Sequence, residues 1–238
     1  MSASIVIHQA HFLPWLPYVA KLSKADLFVV LDDVQFRSRY YINRTRVFNH
    51  DNMEYQWLTM PIRAARGTIA RDVEIVFNNH YERLMNKIDH EYHKYDFFQC
   101  WQSYEGILRS KCTDSLLQLN VLLLENVFRE LRLTMPRLEY SSRLLKGTAI
   151  QDRTDRFVRI CRAVEADNLI TGFGNSLIVH DIGKITEHGV RVTCLDSDEF
   201  MKHACPIGVS VIHYVLSKGV EWTRIKVDQI AGLYSKEV

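Results

Sequence analysis

The chain has 238 residues, with 30 Lys+Arg against 28 Asp+Glu and a formal net charge of +2 at pH 7. So even a balance gives no bulk pull toward nucleic acid or an anionic membrane surface, although local clusters can still bind anions. Its apolar runs fall short of the ~18 residues of a spanning helix. The five cysteines, at 100, 112, 161, 194 and 205, form no CxxC pair, which argues against a disulfide framework or zinc knuckle and for a reducing cytoplasm.

A chain of this size can hide roughly 70% of its unfolded surface. No signal peptide precedes Ile5-Val6-Ile7 and no linker is evident. The expectation is one α/β domain over 1–238, with a helical subdomain over roughly 81–133.

Ile5-Val6-Ile7 reads as a short strand. Pro14 suits a first helical turn, and Trp15, Tyr18, Val19 and Leu22 follow as one buried face at i, i+3, i+4 and i+7. Residues 27–31 (LFVVL) are apolar without alternation, the pattern of a strand buried on both faces. Strand, helix and strand together predict a right-handed βαβ crossover. Residues 35–48 and 55–62 are rich in aromatic and β-branched types around a turn at Asn49-His50-Asp51-Asn52, predicting an antiparallel hairpin. Residues 72–77 alternate as a further strand.

From 81 to 133 the pattern is helical, and Leu116, Leu119, Leu123, Val127 and Phe128 crowd a buried helix. Residues 152–164 make another helix, 168–171 and 190–195 two strands, and 209–216 and 222–230 two short helices. The predicted class is α/β, a mostly parallel sheet of Rossmann-like type with a small antiparallel extension and a helical subdomain.

In open parallel sheets, ligands sit beyond the carboxyl ends of the strands. Here the predicted strands run into His8-Gln9-Ala10-His11, into Asp32-Asp33 and Gln35, into Gly172-Phe173-Gly174-Asn175, and into Asp196-Ser197-Asp198. If those strands are parallel neighbours, two imidazoles, paired carboxylates and a glycine turn meet on one edge. Plainer readings exist for each. A histidine can cap a sheet edge, Asp32 and Asp33 can make an Asx turn, and a lone GxG is weak. Asp196 and Asp198 read as loop carboxylates.

Arg37, Arg39, Tyr40, Tyr41, Asn43, Arg44 and Arg46 fall close together. On a strand over 36–48, Arg37, Arg39, Tyr41 and Asn43 would share one face. Guanidinium forks match phosphate, while the plainer reading is an edge strand guarded by charge. His90 and His93 lack a third ligand and read as surface residues. No Walker loop, GxSxG elbow or GxGxxG motif is present.

One run of residues is more specific: His8-Gln9, Leu13-Pro14-Trp15, Tyr18, Lys21, Ala25-Asp26, Leu31-Asp32-Asp33-Val34-Gln35-Phe36, Asn43-Arg44 and Trp57-Leu58-Thr59-x-Pro61. This series resembles the WbqC-like protein family, with its HQPxYLPWxGY opening, DDVQF block, NR pair and WLTxP strand. Ala10 and His11 stand where that family usually has proline and asparagine, and Pro17 where it has glycine. His213 and Ser217 replace an aspartate and an asparagine of its SILDLLFNxG block.

The resemblance implies a role in O-antigen or other surface-polysaccharide assembly. The expected function is a cytoplasmic transferase that moves an acyl or aminoacyl group to the amine of an amino-sugar nucleotide. His8, Asp33 and His11 are the candidate catalytic residues. Gln9, Trp15, Tyr18, Lys21, Asp32, Gln35, Arg37, Arg39, Tyr41, Asn43, Arg44, Gly172, Gly174 and Asn175 are the candidates for substrate binding. No metal or redox cofactor is implied. The expected donor is an acyl thioester or aminoacyl-tRNA, so the partners are a nucleotide sugar with a tRNA or carrier protein, without membrane insertion or DNA. The alternatives are a nucleotidyltransferase-like enzyme, since His8-Gln9-Ala10-His11 resembles an HxGH motif, and a non-catalytic nucleotide- or RNA-binding protein.

Overall fold

A computed structural model of the chain describes residues 3–49, 53–202 and 206–238, the side chains of 175 and 176 excepted. The chain opens with strand β1 (Ser4–His8), helix α1 (Leu16–Ser23) and β2 (Leu27–Val30). A hairpin of β3 (Arg44–Asn49) and β4 (Glu54–Thr59) follows, then a short ladder of β5 (Ile62–Arg63) with β6 (Glu74–Ile75). Helices α2 (Asn79–Tyr92), α3 (Trp101–Ser110) and α4 (Leu116–Glu130) come next. The remainder is β7 (Arg137–Tyr140), α5 (Ser141–Leu144), α6 (Arg153–Ala163), β8 (Asn168–Thr171), α7 (Asn175–Ile178), α8 (Ile182–Thr186), β9 (Arg191–Leu195), α9 (Ser197–Lys202), α10 (Val211–Lys218), α11 (Val220–Gly232) and β10 (Tyr234–Glu237).

Six strands form one sheet in the order β10-β9-β8-β1-β2-β7, parallel except for the edge strand β10. The architecture is therefore α/β, a mostly parallel sheet with small antiparallel ladders beside it. The chain first moves outward from β1 through β2 to β7. It then returns to the other side of β1 for β8 and β9, so the order reverses at β1.

Side-chain alternation explains why these strands are apolar throughout. Ile5, Ile7, Leu27 and Val29 enter one core, with Phe157, Ile160, Leu169 and Val192. Val6, Phe28 and Val30 enter a second core on the opposite face, with Leu16, Val19, Leu123, Val127 and Ile230. Period-two strands buried on both sides leave no polar position to reveal an outer face.

The hairpin differs from expectation. Residues 36–43 form a turn rather than a strand, Arg39 takes φ +68°, and pairing begins only at Arg44. Arg37, Arg39, Tyr41 and Asn43 therefore share no strand face. The cause lies in where the backbone bonds go. Phe12 N–H donates to the Tyr41 carbonyl at 2.9 Å, and buried Asn120 of α4 donates to the Ile42 carbonyl at 2.7 Å, so this segment is spent on tertiary contacts. Residues 50–52 of the expected turn lie outside the described residues. Of residues 72–77, only Glu74 and Ile75 join a ladder, after a single helical turn at Ala70–Asp72.

Candidate functional site

At the carboxyl end of β1, the Nδ1 atom of His8 lies 3.0 Å from the Gln9 carbonyl. A carbonyl only accepts, so Nδ1 carries the proton and Nε2 keeps its lone pair. The Tyr18 hydroxyl donates to the same carbonyl at 2.9 Å. The Tyr18 ring stacks on His11 at 4.2 Å between centroids, and both stand edge-on to His8, at 5.4 and 4.8 Å. Lys21 lies one helical turn beyond Tyr18, with its ammonium 5.4 Å from that ring's centroid. The residue is only 5% exposed. Among the described residues no carboxylate pairs with it, and burial alone draws its ammonium down to about 8.

The imidazoles respond to the same surroundings. Burial, and next the charge of Lys21, pushes His8 down to about 3. Burial, then His8 and Lys21, holds His11 well below the ordinary imidazole range. His180, beyond α7, also bears on His8. Its own value is lowered by burial, and its ring stacks on Phe157 at 4.0 Å. The Nδ1 atoms of His11 and His180 are buried without a hydrogen-bond partner among the described residues. Each such orphan costs roughly 1–3 kcal/mol, which a ligand that bonds it recovers. Two imidazoles and an ammonium, with no carboxylate paired to them among the described residues, make a cradle for an anion or a developing oxyanion. Nothing in the local sequence SLIVHD marks His180, whose influence on His8 comes from a segment more than a hundred positions away.

The turn carrying this cluster is held from several elements. Asn120 donates to the Ala10 carbonyl at 2.9 Å. The Thr45 and Ser210 hydroxyls both donate to the Leu13 carbonyl, at 2.9 and 2.8 Å, with Leu13 itself in the left-handed region at φ +43°. An aromatic wall leads outward from it. Tyr41 lies 5.7 Å from His11, Trp15 runs parallel to Tyr41 at 6.2 Å, and Trp57 lies 5.4 Å from Tyr41. Phe173, in the turn after β8, flanks Trp15 at 6.4 Å. Such faces suit a sugar or a base.

The strand ends are parallel neighbours as expected, but several candidate residues are committed elsewhere. Asp32 accepts from the Ser142 N–H at 2.9 Å and hydroxyl at 2.6 Å and from the Ser141 hydroxyl at 3.1 Å, tying β2 to the start of α5. Asp33 accepts from Ser141 and pairs with Arg156 at 2.6 Å. Burial works to raise its carboxyl, but Ser141 and Arg156 outweigh it and hold the group below the usual range. A carboxylate held this way fits a strut better than a base working near neutral pH.

Arg44 reaches the Arg39 carbonyl and covers the Trp57 ring at 3.8 Å. Arg46 donates to the Ile207 carbonyl at 3.0 Å, and buried Asn43 donates to that of Met60 at 3.4 Å. Gln9 donates to the Gln35 carbonyl at 3.3 Å, while Gln35 itself is exposed. Arg37 and Arg39 are exposed on the turn. Gly172 follows β8, and Gly174, at φ +62°, opens α7; the side chain of Asn175 lies outside the described set. Asp196 accepts from the N–H groups of Asp198 and Glu199 at 3.1 Å. His93 bonds back to the carbonyls of Asp89 and His90 on α2. Among the described residues, no group of three or more His, Cys, Asp or Glu is placed to hold a metal ion, and no helix is long and apolar enough to cross a membrane.

Two comparisons with known proteins bear on the chain. The profile of the WbqC-like protein family matches residues 9–224. A Mycobacterium tuberculosis protein described as uncharacterized protein Rv1507c is 30% identical over 59 residues, a stretch that spans 25% of each chain. No solved structure matches.

Proposed function

The chain belongs to the WbqC-like protein family, and on that premise we propose that the His8–Lys21 cluster is the reaction centre of a cytoplasmic transferase. It moves an acyl or aminoacyl group to the amine of an amino-sugar nucleotide in surface-polysaccharide assembly. The strand order, reversing at β1, supports a Rossmann-like reading, since such sheets bind ligands outside the strand ends where the order reverses.

The observation that carries the reading is a histidine with an unprotonated Nε2 beside a buried lysine that has no carboxylate partner among the described residues. In the step, the sugar amine attacks the acyl carbonyl and a C–N bond forms. The C–S or C–O bond to the thioester or tRNA donor breaks, and the departing group takes up a proton. The Lys21 ammonium stabilises the tetrahedral oxyanion. That same negative charge offsets the repulsion from Lys21, the second cause of the lowering of His8, and also attracts the proton that His8 takes from the amine. His11 faces the same charge. Trp15 and Tyr41 receive the sugar ring, Gln9 lies within reach of its hydroxyls, and exposed Arg37 and Arg39 are available to phosphate.

The test is to incubate the purified protein with amino-sugar nucleotides and with coenzyme A thioesters or aminoacyl-tRNA, and to read the acceptor by mass spectrometry. A mass shift lost in His8→Ala and Lys21→Ala supports the reading. No shift with any donor class removes it.

A second reading has one observation in its favour. His8 and His11 converge at the start of α1, 4.8 Å apart, an arrangement suited to a transferring phosphate. Pyrophosphate release from ATP or CTP in the presence of sugar phosphates or acids would select it.

A further inference from the structure

A cavity of about 340 Å³ opens at the carboxyl ends of β2 and β7. Its lining includes Arg71, Arg143, Tyr140, Gln118, Ser142 and Asp32. Arg143 lies 5.4 Å from the centroid of the Tyr140 ring and has no carboxylate partner among the described residues. Among the described residues Arg71 pairs only with its exposed neighbour Asp72, at 3.9 Å. The one carboxylate in the lining, Asp32, has both oxygens taken by Ser141 and Ser142. The cavity thus offers two guanidinium forks, an aromatic face, and amide and hydroxyl groups around them. Those are the chemistries that recognise a phosphate, a base and a ribose, in a volume at the small-ligand scale.

Position adds to this. β1, β2 and β7 are consecutive neighbours in the sheet, so the end of β7 lies two strand spacings, about 10 Å, from the end of β1. A diphosphate can bridge that span between a nucleoside and a sugar.

We propose that this cavity is a nucleotide subsite, taking the nucleoside 5′-phosphate end of a substrate whose sugar reaches the His8–Lys21 centre. The bridging arrangement rests on the transferase reading above, whereas nucleotide binding in the cavity does not. Arg71 and Arg143, rather than the exposed Arg37 and Arg39, then supply the phosphate forks.

The experiment is calorimetric titration of AMP, GMP, CMP, UMP, dTMP and inorganic phosphate into the intact protein and into Arg71→Ala, Arg143→Ala and His8→Ala. Both arginines are well exposed, so the variants keep the fold. At least one nucleotide is expected to bind more tightly than inorganic phosphate. Arg143→Ala should weaken it about tenfold or more, the scale of a lost charge-assisted hydrogen bond. His8→Ala should change it less than about twofold, since no contact is lost. The proposal is overturned if no nucleotide exceeds phosphate, if both arginine variants bind like the parent, or if His8→Ala alone removes binding. Nucleotide binding that depends on Arg143, in a protein inactive with every donor, would support the subsite while removing the transferase reading.

Discussion

Replacing Lys21 by methionine is expected to stabilise the protein while abolishing its chemistry. Lys21 is nearly inaccessible, and burial lowers its ammonium from 10.5 to about 8. At roughly 1.4 kcal/mol per pH unit, holding it charged in the fold costs about 3 kcal/mol. Methionine keeps the length of the stem and its packing but removes the charge, so most of that cost should disappear at pH 7. For a chain of this size the gain corresponds to roughly 6–10 °C in Tm.

The sign follows from linkage. The folded value lies below the unfolded one, so the penalty is complete below pH 8 and fades as pH rises toward 10.5. The parent should therefore gain stability relative to Lys21→Met over that window. Calorimetric melts of both proteins at pH 7, 9 and 10.5 should show a Tm difference that shrinks with pH. A less stable variant at pH 7, or a difference independent of pH, would refute the reasoning and with it the picture of an unpaired buried cation.

Acid should act on the imidazoles in a related way. His8 falls from 6.5 to about 3 and His11 moves in the same direction, so the unfolded chain binds protons first, and stability should decline as pH drops from 6.5 toward 3. His8→Gln should flatten that decline in denaturant titrations at pH 7 and 5; an unchanged slope counts against it. Asp33→Asn breaks the pair with Arg156 and should cost about 2 kcal/mol of stability while sparing turnover per folded molecule. Lost turnover at full stability would restore Asp33 as a base. Gly208 takes φ +75°, and a Cβ there would overlap the Tyr41 hydroxyl, with the ring's Cζ at 2.7 Å. Gly208→Ala should therefore cost about 1–2 kcal/mol and change tryptophan fluorescence as Tyr41 moves off Trp15; an unaltered melt and spectrum would exclude that packing.

Much of the first βαβ unit is legible in the residues themselves. Pro14 and the Trp15, Tyr18 and Leu22 spacing mark α1, and LFVVL marks β2, because burial on both faces forces an unbroken apolar run. The helix over 116–130 and the strands at 168–171 and 191–195 are equally plain. β7 is not, because Arg137-Leu138-Glu139-Tyr140 carries only a weak apolar signal and becomes a strand by pairing with β2.

The site divides along the same line. Local order alone places His8, His11, Tyr18 and Lys21 together, since they lie on one strand end and the first turns of the helix after it. Which charges remain available is settled by partners far along the chain. Ser141 and Arg156 claim Asp33, and Ile207 claims Arg46. Hydrogen bonds and ion pairs between residues more than a hundred positions apart leave no periodicity to read. The chain by itself determines the βαβ unit and the residues at its carboxyl edge, and only tertiary packing decides that the edge holds neutral imidazoles around a buried ammonium, with Asp32 and Asp33 already committed to other partners.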